Sequence, residues 1–157
     1  MKEFPMGRKN SKIKSVSQDN YYFIKGILNT MLNPVCYKDR NGIYLGVNEI
    51  YARQIVGLPE EKIVGHKLLE VGRKIAERFP ERSVVNGISL LEHVKGWEKD
   101  DAKLLRQGGT STHQYEGICV DGIKRLFLVN KSTFSNENGE ILGLFTVLQD
   151  ITERDEI

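Results

Sequence analysis

The side chains of this 157-residue chain best suited to metal or nucleophilic chemistry are three histidines, His66, His93 and His113, and two cysteines, Cys36 and Cys119. Their scatter gives no ligand spacing, and no pair of histidines four apart encloses a glutamate. The adjacent acids Glu60-Glu61 and Asp100-Asp101 form no acid–base pair, because neighbouring residues on a helix point different ways. Both pairs read as solvated faces. Gly108-Gly109 has no phosphate-loop lysine and reads as a helix stop. The expectation is a chain with no catalytic residues and no metal site. What remains is chemistry suited to holding a small molecule, and that depends on the elements that carry it.

Tyr21, Ile24, Ile27, Leu28, Met31 and Leu32 recur at helical spacing and predict an N-terminal helix within 17–33, ended by Pro34. Two strands follow, near 35–38 and 43–47, joined by Asn41-Gly42, a turn expected to place two residues at positive φ. Asn48 is placed to cap a helix over 49–55, which presents Tyr51 and stops at Gly57. Residues 67–107 read as mostly helical, broken by Pro80 and Asn86-Gly87, with the last helix running from Trp97 to Gln107. Three strands complete the chain, about 111–120, 123–134 and 141–149, with turns at Asp121-Gly122 and across 136–139. Cys36 and Cys119 fall on strands, and a disulfide would need those strands adjacent.

Lys and Arg total 23 and Asp and Glu 21, so a net charge of +2 argues against a broad nucleic-acid surface. Lys2, Arg8, Lys9, Lys12 and Lys14 gather in residues 1–16, which read as a disordered basic leader. No apolar run approaches the roughly 20 residues of a membrane span, and none near Met1 resembles a secretory signal. A reduced, cytoplasmic protein is the simpler expectation. Thr152 can cap a helix over 153–157, too short to stand alone, which suggests a piece of a longer protein.

Three motifs give the chain a family resemblance: Lys38-Asp39 through Gly42 to Asn48, Gly57-Leu58-Pro59-Glu60 through Gly65, and Asp150-Ile151-Thr152-Glu153-Arg154. In this order they resemble a PAS domain of the branch found in bacterial sensor kinases and cyclic-dinucleotide enzymes. The resemblance covers residues 20–154 and implies an α+β fold. A five-stranded antiparallel sheet carries helices on one face, with the domain proper at 34–152 and an N-terminal helix before it. Val71 to Lys95 is longer than the family's usual stretch and leaves the helical wall of the pocket undefined.

The register of flavin-binding relatives, laid on alternating strand faces, turns His113, Tyr115 and Gly117 inward, then Phe127, Val129 and Lys131, then Leu144, Thr146 and Leu148. With Tyr51 and Trp97, all of these but Gly117 form the candidate pocket. Lys131 is open to two readings, a ligand contact or a chain that snorkels to the strand end. Leu126 and Leu128 face outward, toward the N-terminal helix or a partner's copy of it. The resemblance names no cofactor. The Asn-Cys-Arg segment of photoadduct-forming flavin domains is missing, which disfavours a covalent flavin. The histidine that heme relatives carry on the last helix is missing from 97–107, which disfavours heme. The implied role is sensing a small molecule or redox state, relayed through Asp150 and Thr152 into an output domain. A homodimer through the N-terminal helix is the expected assembly. The rival is a ligand-free dimerisation module.

Overall fold

The computed structural model describes residues 18–152. The basic leader, and the helix expected over 153–157, lie outside them. Helix α1 spans 18–29, followed by β1 (Val35–Asp39) and β2 (Tyr44–Val47). A π-helical turn (Tyr51–Val56) and a 3-10 turn (Glu60–Lys62) lead to α2 (Leu68–Arg78). A second 3-10 turn (Pro80–Arg82) and a small hairpin of β3 (Val84–Val85) and β4 (Ile88–Ser89) precede α3 (Leu90–Gln107). Strands β5 (Thr110–Ile118), β6 (Lys124–Ser135) and β7 (Ile141–Asp150) close the fold.

The sheet is five-stranded and antiparallel, in the order β2-β1-β7-β6-β5. Its inner face packs on the π turn, α2 and α3 in one apolar core that includes Val56, Val71, Val94 and Phe127. Two strands, β7 and β6, separate β1 from β5, so Cys36 and Cys119 are not neighbours, and both thiols are free and buried. Cys119 lies just past the end of β5 rather than on a strand.

Two turns exchange the roles the sequence suggests. At Asn41-Gly42 only Gly42 has positive φ (82°). The turn is held instead by Asp39, whose Oδ1 accepts from the amides of Asn41 and Ile43. Asn136 repeats the device on the amides of Asn138 and Glu140. It is Asn86-Gly87, read as a helix break, that takes positive φ at both positions (53° and 80°) and makes the β3-β4 hairpin. Because that hairpin is short, α3 starts at Leu90, seven residues before the expected start, with Ser89 Oγ accepting from the amide of Glu92 as its cap.

Asn48 is 1% exposed and ties four segments together. Its Oδ1 accepts from the amides of Val35 and Tyr51, and its Nδ2 donates to the carbonyls of Leu28 and Asn33. Helix α1 docks there through buried Leu28, and onto Glu60, which accepts from the Tyr21 hydroxyl and pairs with Lys25 at 2.9 Å. Among the described residues, no helix is long and apolar enough to cross a membrane.

Candidate functional site

Strand register brings the expected residues into rows. Cys36 on β1 lies opposite Thr146 on β7, which lies opposite Lys131 on β6. Leu148, Val129 and His113 make the next row, and Phe127 faces Tyr115 in the third. Side chains two apart on a strand share a face, so the rows form one wall. Helix α3 supplies the facing wall from Leu90, Val94, Trp97 and Asp101, spaced four, three and four residues apart on one helical stripe. Val71, Gly72 and Ile75 of α2 and Tyr51, Ile55 and Val56 of the π turn complete a cavity of about 140 Å³.

Of the ten residues expected there, nine line this cavity: Tyr51, Trp97, His113, Tyr115, Phe127, Val129, Lys131, Thr146 and Leu148. Leu144 is fully buried but does not. It pairs with Lys38 in the register, one row beyond Thr146.

The polar end is a charge cluster that the sequence did not suggest. Asp101, read as part of a solvated face, is 4% exposed. Its Oδ2 accepts from Lys38 Nζ at 2.9 Å and its Oδ1 from Lys131 Nζ at 2.6 Å. Lys131 therefore does not snorkel; at 8% exposed it turns inward to a carboxylate. The Lys38 ammonium also sits 4.8 Å from the centre of the Tyr44 ring. Burial opposes the Lys38 charge, but Tyr44 and Asp101 outweigh it and hold its pKa above the ordinary value. Burial likewise opposes the Asp101 carboxylate, and the two lysines overcome that to lower its pKa. Tyr44 and Tyr51 share a hydroxyl–hydroxyl hydrogen bond of 2.8 Å beside this cluster. Burial pushes the Tyr44 phenol up to about 12, so it is neutral at ordinary pH.

An aromatic group forms the side toward α3. Trp97 and Tyr115 meet edge to face at 4.6 Å, and His93 stacks on Trp97 at 5.8 Å. Gly117 lets this happen: a Cβ there would lie 2.5 Å from the Tyr115 ring. His93 lies on α3, contrary to the expectation that the last helix carries no histidine. Its Nε2 is engaged 2.9 Å from the Val85 carbonyl, and it is not a cavity residue. At the opposite end, Arg82 is 5% exposed. Its guanidinium donates to the carbonyls of Ile118, Val56 and Ile55, joining the end of β5 to the end of the π turn.

Past β7 the chain is fixed locally. Asp150 Oδ1 accepts from the Thr152 amide at 2.9 Å and from its hydroxyl. Thr152 Oγ1 in turn accepts from the Leu126 amide on β6. No group of three or more histidines, cysteines and acids that could hold a metal occurs among the described residues.

A search of curated proteins returned no match. Among solved structures, the chain is similar to the PAS domain of Bordetella pertussis BvgS, at TM-score 0.63 and 17% identity over 88% of this chain and 90% of that one. It is similar to VqmA bound to DPO, at TM-score 0.63 and 17% identity, covering 82% of this chain but spanning only 56% of VqmA. It is also similar to the PAS domain of Cronobacter turicensis RpfR in complex with C12:0, at TM-score 0.53 and 17% identity over 78% and 96%. Such identities speak for the fold alone. The family model described as the PAS fold matches residues 28–156, which takes in the sheet, α2, α3 and the junction, and the chain belongs to that family.

Proposed function

We propose that this PAS domain is a sensor of a small molecule, bound between the sheet and α3, whose occupancy is relayed through Asp150 and Thr152 to an output domain. One observation carries the reading: a cavity of about 140 Å³ lies in the core with ionised side chains buried at its edge. A domain that served only as a scaffold would gain stability by filling that space, since an empty methyl-sized void costs about 1 kcal/mol. An apolar cavity of about 150 Å³ accommodates a molecule the size of benzene. The ligands named for VqmA and RpfR agree with such a use of the fold.

For the relay, the Leu126–Thr152 hydrogen bond joins β6, at the cavity wall, to the chain two residues past the last strand. A ligand that shifts β6 would carry the junction with it, provided it binds the two states with different affinity. The output domain and a cytoplasmic setting belong to the same proposal. The test is a thermal-stability screen of small molecules against the purified domain. A ligand at about 100 times its Kd adds about 2.7 kcal/mol, a shift of several degrees. Compounds that raise Tm support the proposal, and a library that leaves Tm unmoved contradicts it.

A second reading has its own observation. Tyr22 and Phe23 on α1 are 66% and 70% exposed, with Ile27 at 51%. Such a face suits a homodimer through α1, which is compatible with sensing or with dimerisation alone. Sedimentation of the domain against a Phe23→Glu variant decides whether α1 has a partner.

A further inference from the structure

The charge cluster at the cavity does not balance. Lys38 and Lys131 bring two ammoniums, and Asp101 the single carboxylate hydrogen-bonded to either of them among the described residues. All three are at least nine-tenths buried. An ammonium has three N–H donors, and each lysine donates one to Asp101. Two donors on each lysine are left without a protein acceptor among the described residues, with the face of the Tyr44 ring as the other contact of Lys38. Buried charge of this kind is costly unless something pairs it.

Other charges do not remove the surplus. Asp100, beside Asp101 on α3, is exposed. His113 is favoured in its neutral form by burial and by Lys131. Arg82, the other cavity cation, is answered by three backbone carbonyls at the far end. The two ammoniums with donors to spare therefore sit together at one edge of a space lined in large part by apolar side chains, Val71, Ile75, Val94, Val129 and Leu148 among them.

We infer that the ligand is a small organic monoanion, a carboxylate on an apolar body of about one ring or a short chain, with its charge held by Lys38 and Lys131. This rests on the reading of the cavity as a ligand site and adds the chemical class to it. The carboxylate takes the donors that Asp101 leaves free, and brings the buried charge to zero. The volume sets the body: about 140 Å³ admits one ring or a short chain.

Two pairs of equal carbon skeleton test this by titration calorimetry at pH 7.5: benzoate against benzyl alcohol, and hexanoate against 1-hexanol. The unaltered domain is expected to bind each carboxylate at least about tenfold more tightly than its alcohol, the scale of a hydrogen bond to a charged group. Lys131→Met, which leaves Lys38 and Asp101 as a balanced pair, is expected to abolish that preference. Circular dichroism checks that the variant is folded. The comparison of carboxylate and alcohol on the unaltered domain stands whether it folds or not. Alcohols binding as well as carboxylates overturn the monoanion and leave the sensor reading intact. A preference that survives in folded Lys131→Met overturns the assignment to the lysines. Binding of none of the four probes to the unaltered domain overturns both.

Discussion

Replacing Asp101 with alanine removes the one carboxylate between two buried ammoniums, and the structure sets the size of the effect. The side chains of Lys38 and Lys131 are 6% and 8% exposed and that of Asp101 is 6%. Solvent therefore screens neither pair well. At 2.9 and 2.6 Å, and with an effective dielectric of about 20, each pair has a gross attraction on the order of 6 kcal/mol. Desolvation takes back several kcal/mol per ion, so the intact cluster adds little net stability. Deleting the carboxylate alone is different. Both lysines keep their desolvation cost and lose what offset it, for an expected loss of about 3–5 kcal/mol. At about 2–4 °C per kcal/mol, Tm falls by roughly 10 °C. Lys131→Met leaves a neutral pair, and its expected cost is about 1 kcal/mol. Guanidinium titrations followed by Trp97, the only tryptophan, measure both losses. Equal losses, or a loss under about 1 kcal/mol for Asp101→Ala, would show that one lysine is uncharged in the folded state and refute the reasoning.

The same cluster has an acid-side signature: the lowered Asp101 pKa adds stability above its ordinary value of 3.8, lost as pH falls through the folded value. Asp101→Asn should lack that acid-limb loss in stability measured against pH. His113 should titrate below 6.5 by NMR, because burial and Lys131 both lower its pKa. Its neutral form therefore favours the fold above that pH, with the benefit lost as pH drops, and Lys131→Met should move the titration up. Asn48→Ala removes four hydrogen bonds, three of them buried, and should cost about 3–4 kcal/mol in urea unfolding. Asn48→Ser should recover about 1 kcal/mol by capping Tyr51. Asp150→Ala frees Thr152 at the junction, and with an output domain attached beyond it should abolish output while leaving ligand affinity within about twofold. Equal loss of both would remove Asp150 from the relay.

Strand positions and faces were legible in the sequence because strand parity is rigid: one inward residue sets the rest. That is why seven of the eight expected strand residues line the cavity, and why Leu144, on the same face but one row further, is not distinguished from them by parity. Length along a strand, unlike face, is set by what packs above it. The helical wall was read less well, and for a local reason. Taking Asn86-Gly87 as a break instead of a hairpin started α3 at Trp97, which hid the stripe Leu90, Val94, Trp97, Asp101. Extended back to Leu90, that stripe would have turned Asp101 inward. Nothing of the kind could have found Arg82, which sits in a 3-10 turn with no periodicity to read. Lys38 belongs to a motif legible in the sequence, but alternation alone does not reveal that a lysine is buried; its carboxylate partner lies 63 residues away.

The central claim is that the cavity holds a small molecule. Its most direct test is native mass spectrometry of freshly purified protein beside Val129→Trp, a change that fills the cavity from β6. Additional mass on the unaltered protein, released on denaturation and absent from the folded variant, is the predicted result. A clean polypeptide mass for the unaltered protein, or the same additional mass on both, would contradict it.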